Sequence, residues 1–388
     1  MWVVQEVVLA PKNRCVIGSQ EVDFMAVLEA AMWIEYKYRF VPTSLSGSSG
    51  RRNATTMAAL INQGLGLEIG QQDSSRPLSY LLNLARRFTM TEPRDSVFAV
   101  LGLSRSKDVE RHRPNSLIAP NYTKPLSAVV RDAVRCALLE DNDLSILGCV
   151  DLRAGNIDAA DRLPSWVLYS FVQADQWLDV NELPSFYEAC RGLSPPTLLG
   201  QIPENPDHLL LEGFVADAVA SVSAICVASE WGSRAWAQSW LLEVHDMGRL
   251  CLSGKVTEAQ FRQEITLALT AGQNREGSHA DQEYLKHCWN VLRSLEEIEQ
   301  MPIEFFYSCN RCFMTTKSGR LGLAPGGTQP EDVIAVLRGG RLPFVLRRTS
   351  RVDRHSLLGA AYVGRLMDGE AVSQFRRSDG TEEVFHVT

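Results

Sequence analysis

A chain of 388 residues, 45% apolar and 22% charged, can bury at least two hydrophobic cores and is too apolar to be disordered throughout. Its formal net charge of −7 leaves no broad cationic surface, so no nucleic-acid partner is expected. The longest apolar run, Leu209 to Ser229, carries Glu212 and Asp217, which argues against a membrane span. Nine scattered cysteines with no leader pattern point to free thiols and a cytoplasmic location.

In chain order, "MWVVQEVVLA" reads as an amphipathic helix with Trp2 and Glu6 on one face and Val3, Val7 and Ala10 on another, so the sequence reads as starting inside a domain. "RCVIG" (14 to 18) predicts a short buried strand closed by Gly18, followed by a helix over about Asp23 to Tyr36. The Ser/Gly/Thr-rich stretch 42 to 56 predicts a loop. Leu78, Leu81, Leu82 and Ala85 form a helical stripe that Pro93 is expected to stop, with a further helical turn over Val97 to Leu101. Arg94 and Asp95, straight after that proline, predict an ion pair or cap that fixes the next helix. After "PNYTKP" (120 to 125) a long helix carries Ala128, Val129, Ala133 and Leu138 inward.

Residues 1–150 therefore read as mainly helical and 151–208 as a Pro-rich connection, with Pro195, Pro196, Pro203 and Pro206 unable to sustain regular structure. In "FVADAVASV" the alternation of Val215, Asp217 and Val219 against Phe214, Ala216 and Ala218 predicts a strand. Helix returns over about 232–300, where Trp236 and Trp240 share a face as a packing ridge. Short apolar runs between Gly-rich turns then predict a small antiparallel sheet or barrel, with 209–226 pairing to strands between about 313 and 375. The fold class is α+β, with a β-rich region 209–388 interrupted by the helical insertion.

Few patterns carry chemistry. "CNRC" (309 to 312) has the spacing of a metal or redox pair but no second pair of ligands, and His279, Glu283 and His287 at four-residue spacing put the outer two about 12 Å apart on a helix. No metal is expected. "GLGLEIG" (64 to 70) lacks the dinucleotide-loop spacing and reads as a turn, and no nucleophile elbow, metalloprotease or phosphate-loop motif occurs. "VLRRTSR" (345 to 351) is the most basic stretch, and of the two readings it allows, contact with a polyanion and a solvated loop, the loop is the one expected.

Three segments, "WVVQEVVLA" (2 to 10), "TEPRDSVFAVLGL" (91 to 103) and the tail from "RCFMTTKSGRLGLAP" to "YVGRLMDGEA", together resemble the fungal heterokaryon-incompatibility (HET) family. The family pattern marks Trp2, Gln5, Pro93, Arg94 and Asp95. The resemblance implies nonself recognition and programmed cell death through contacts with other proteins, with no cofactor. It also implies that residues 1–150 are the later part of a TIR-like α/β HET domain, because motifs resembling "ALSYxWG" and "DxxCINQ" are not found here. Trp2, Glu6 and Ala10 are further similar to a helix of NAD-cleaving TIR domains. On that alternative NAD is a substrate and Glu6 the catalytic carboxylate that stabilises positive charge as the glycosidic bond breaks; a further alternative is a degenerate family member without activity. Without strands to hold the nucleotide, this chain by itself is expected not to turn NAD over.

Overall fold

The computed structural model describes residues 3–10, 13–38, 54, 56–58, 60–61, 76–86, 88, 90–104, 118–151, 163–167, 186–199, 204–351 and 353–388. These residues fall into two compact units, one running to Asp141 and one from Asn142 to Thr388. The segment 64–70 lies outside the described residues. So does 42–56 apart from Ala54 and Thr56, which are helical rather than in a loop.

The first unit contains helices α1 (Val3–Leu9), α2 (Phe24–Tyr38), α3 (Leu78–Ala85), α4 (Asp95–Leu101) and α5 (Leu126–Asp141), with a hairpin of β1 (Arg14–Ile17) and β2 (Gln20–Asp23). The expected stripes form its core: Leu78, Leu81, Leu82 and Ala85 of α3 pack against α4 and α5, where Val97, Val129, Ala133 and Leu138 are also buried. Each such aliphatic side chain contributes about 1.5–3 kcal/mol on leaving water. Two expectations need correction. The strand Arg14–Ile17 exists, but Val16 is 70% and Ile17 62% exposed, because a two-stranded ribbon has no second layer to cover it. Pro93 does not stop α3, which ends at Ala85. It instead precedes α4, and its carbonyl accepts hydrogen bonds from the Ser96 amide and hydroxyl.

The second unit is built on β3 (Leu209–Ile225), a strand of 17 residues that serves three partners in turn. Its first part pairs with β10 (Glu383–Val387), its middle with β6 (Val333–Leu337) and its end with β4 (Arg311–Thr316), all antiparallel. From β6 the ladder passes to β7 (Phe344–Arg348), β8 (Arg354–Ala360) and back to β10, so five strands form a closed circuit. β4 continues outward to β5 (Leu321–Pro325) and the two-residue β9 (Tyr362–Val363). One pairing departs from the antiparallel expectation: β10 runs parallel to β8, after the chain has crossed through helix α9 (Glu370–Arg377).

Gly213 is the residue at which β3 passes from β10 to β6, opposite both Glu383 and Leu337. A Cβ there would lie 2.2 Å from the Val336 carbonyl oxygen, so only glycine lets three strands meet at this point. The period-two reading of 214–219 holds only locally. Register shifts between Val215 and Asp217 and between Val219 and Ser221 break the alternation, leaving Val215 39% exposed while Phe214, Asp217 and Val219 are buried. Phe214 and Val219 join Met314, Ile334, Val336, Val345, Leu358 and Val363 in the sheet core.

Between β3 and β4 lie helices α6 (Arg234–Leu252), α7 (Glu258–Leu269) and α8 (Gln282–Arg293). Their starts follow local chemistry: Ser233 caps α6, Thr257 and Gln260 form a reciprocal capping box on α7, and Asp281 caps α8. Trp236 and Trp240 stack at 6.3 Å, and the buried Trp240 donates its indole N–H to the Ala224 carbonyl, pinning α6 to β3. The Pro-rich stretch has neither helix nor strand in its described parts, yet it is anchored: Glu212 of β3 accepts hydrogen bonds from the Thr197 and Leu198 amides and pairs with Arg338.

Candidate functional site

Of the residues expected to carry function in the first unit, Trp2 lies outside the described residues. Gln5 is half-buried and its amide fills the space where a Cβ on Gly102 would sit, 2.7 Å from Nε2, so it packs α1 against the end of α4. Glu6 is exposed, and among the described residues its carboxylate makes no hydrogen bond or ion pair; only its backbone carbonyl is engaged, by the Ala10 amide.

The "EPRD" and "PNYTKP" segments are brought together. Arg94 does not pair with Asp95. Its guanidinium bonds Glu92 at 2.8 Å and donates from Nε to the Lys124 carbonyl at 2.9 Å. Asp95 instead accepts the Tyr122 hydroxyl at 2.8 Å, and the Tyr122 ring meets Phe98 edge-on at 5.1 Å. The Asp95 bond and charge hold the Tyr122 phenol above its usual range, while backbone and side-chain hydrogen bonds from Arg94 hold the Glu92 carboxyl below its own. Asn121 closes its turn by accepting from the Thr123 amide and hydroxyl. The Arg94–Lys124 and Asp95–Tyr122 bonds tie the α4 start to the α5 approach.

In the second unit the residues singled out for metal chemistry separate. His279 precedes α8 and stacks on Phe186 at 3.7 Å, whereas His287 bonds Glu304 at 2.9 Å. Cys309 and Cys312 are both buried, and among the described residues no group of histidine, cysteine or carboxylate side chains converges to hold a metal ion. Burial pushes the Cys288 and Cys312 thiols up to about 12, so neither supplies a thiolate at neutral pH. "VLRRTSR" is also not simply a loop: its first four residues lie in β7, and Arg347 grips the buried Asp332 through Nε and Nη2.

Two charge clusters and one neutral hydrogen-bond cluster escaped sequence reasoning. Glu304, 6% exposed, receives Arg275 and His287; Asp217, 2% exposed in its side chain, receives Arg320 at 2.6 Å and the Ser318 amide; Tyr187, buried, donates to the Ala271 carbonyl and accepts from Gln273. Their partners lie from 17 to 103 positions apart in the chain, and no local pattern could have paired them.

Residues 269–381 match the family described as the Het-6 beta-barrel domain. That range takes in β4 to β9, α9 and the Arg275, His287 and Glu304 cluster. Over 66 residues the chain is 36% identical to heterokaryon incompatibility protein 6, OR allele, of Neurospora crassa, a stretch that is 16% of this chain and 10% of that protein. The match therefore spans about a tenth of the relative's length. No solved structure matches the chain. Residues 269–381 are therefore similar to a Het-6 β-barrel domain and a short stretch of the chain to a fungal heterokaryon incompatibility protein, likenesses that agree with the three motif segments.

Proposed function

We propose that this protein serves vegetative incompatibility, where it takes part in nonself recognition and programmed cell death through contacts with other proteins in the cytoplasm. The observation that carries the proposal is the Het-6 match over residues 269–381, supported by the similarity to an incompatibility protein. Nine free thiols fit a reducing compartment, and among the described residues no helix is long and apolar enough to cross a membrane. On this reading residues 1–150 are the later part of a TIR-like HET domain, 151–208 a connection, and 209–388 a small barrel with a helical insertion that presents a binding surface. No cofactor is required. Inducible expression of the chain in paired fungal strains tests the proposal. Growth arrest or death in some pairings and not others is expected; uniform, unaffected growth in every pairing would overturn it.

The same reading holds that this chain alone does not cleave NAD. Glu6 stands exposed without a partner to orient it, and a carboxylate without a positioned substrate forgoes the orientation term of about 7–11 kcal/mol. Nicotinamide release by the purified chain is expected at background and unchanged in Glu6→Gln. Steady release abolished by that substitution would instead make Glu6 catalytic.

A further inference from the structure

One rim of the strand circuit gathers arginines and histidines from four chain segments. Arg348 ends β7, Arg351 lies in the turn that follows, Arg354 and His355 open β8, His386 sits near the end of β10, and His208 stands just before β3. Register sets Arg348 opposite His355 and Arg354 opposite His386, two pairs that leave β8 on opposite faces and come together only at the end of the strands. The turn is held by backbone bonds from the Thr349 amide to Arg354 and from the Arg354 amide to Arg351, so the spacing of its arginines is built into the fold. Arg354 Nη1 lies 3.1 Å from His208 Nε2. A guanidinium can only donate, so that nitrogen is unprotonated and fixes the arginine's direction.

The rim differs from the other arginine sites of this unit in that its arginines have no carboxylate within ion-pair distance, although Asp207, Asp353 and Glu383 lie nearby. Arg347 is matched by Asp332, Arg320 by Asp217 and Arg338 by Glu212 and Glu382. Among the described residues no carboxylate comes within ion-pair distance of Arg348, Arg351 or Arg354. Arg348 and Arg351 are exposed. Burial first, and then the neighbouring arginines, hold the His208 and His355 imidazoles below their usual range, against the opposing charges of Asp207 and Glu383.

We infer that this rim, formed by Arg348, Arg351 and Arg354 with His208 and His386 beside them, is a docking surface for a short acidic polypeptide segment of a partner protein. The inference rests on the reading that the protein acts through protein contacts, and it names the chemistry of the partner. Charge complementarity selects the occupant. The arginines are discrete points, interspersed with Asp207, Asp353 and Glu383, on a molecule of net charge −7. Long polyanions would be repelled by the remainder of the surface, whereas spaced carboxylates on a flexible segment can meet each guanidinium through paired hydrogen bonds.

Fluorescence polarisation of labelled decaglutamate with the full chain tests this. Saturable binding that weakens with added salt is expected, at least about tenfold weaker in the double variant Arg348→Glu/Arg351→Glu and unchanged in Lys286→Glu, an exposed reversal on α8. Thermal unfolding checks that all variants are folded. If the double variant does not fold, Arg351→Gln, a turn residue, carries the comparison with a several-fold loss. No binding by the wild type, equal loss in Lys286→Glu, or tighter binding of a DNA duplex or of phosphatidylserine vesicles than of the peptide would overturn the inference. The two readings fail separately. A double variant that loses the peptide but still provokes incompatibility sinks the rim's role alone, and a wild-type chain that binds the peptide but provokes nothing sinks the proposed function alone.

Discussion

Glu304 illustrates how one buried carboxylate organises its surroundings. Burial alone would raise its pKa, but hydrogen bonds from His287, from its own backbone and from Arg275, with the Arg275 charge, bring it below the usual carboxylate range. A group whose folded pKa is depressed contributes stability that is present above its unfolded pKa, about 4.3, and lost as pH falls through the folded value. Glu304→Gln should therefore cost about 1–2 kcal/mol at pH 7, since the partners left behind are half-exposed and can be solvated. In urea unfolding the gap between wild type and variant should close progressively below about pH 4. A gap that persists unchanged at pH 2 to 3 would mean that shape, not charge, gives Glu304 its role. Asp217 should be more demanding. Asp217→Ala strands Arg320, 11% exposed, and is expected to cost about 3–5 kcal/mol in the same measurement.

Strand β3 is the element on which the second unit depends, because it is shared by three ladders and interrupted by three register shifts. The shifts let one strand turn from β10 to β6 to β4 without losing its hydrogen bonds, and Gly213 marks the first of those changes. Gly213→Ala should destabilise by about 1–3 kcal/mol or more, because the added methyl meets the Val336 carbonyl oxygen rather than a yielding side chain. Thr257→Ala, which removes the capping box of α7, should cost about 1 kcal/mol and leave the sheet intact. Circular dichroism and chemical unfolding would separate the two: a smaller loss for Gly213→Ala than for Thr257→Ala would show that the strand crossing is more compliant than its geometry implies.

At the scale of the whole molecule, all nine cysteines are free, and five of them, Cys149, Cys226, Cys288, Cys309 and Cys312, are buried. Thiol titration of the protein unfolded without reductant should return nine equivalents. The native protein should react at the four partly exposed positions first, since buried thiols ionise poorly and reagents reach them only on opening. Fewer than nine equivalents would reveal a disulfide and an oxidising compartment.

Local patterns of residues determined much of this protein. The apolar stripes of α3 and α5, the helical character of about 232–300, the strand character of 209–225 and the family likeness carried by "TEPRDSVFAVLGL" and the Gly-punctuated tail were all legible, because each depends on neighbours within a few positions. What only the tertiary structure decided depends on distant partners. Period two marked β3 as a strand but could not place its bulges, so it set Asp217 in one row with Val215, although Asp217 is buried against Arg320 and Val215 is exposed. Arg94 and Asp95 looked like a pair by adjacency, yet each found a better-oriented partner elsewhere. The closing of five strands into a circuit, the parallel return of β10 and the gathering of Arg348, Arg351, Arg354, His208 and His386 on one rim follow from strand register. Register is settled by which faces can be buried together when the chain folds, information that no single segment contains.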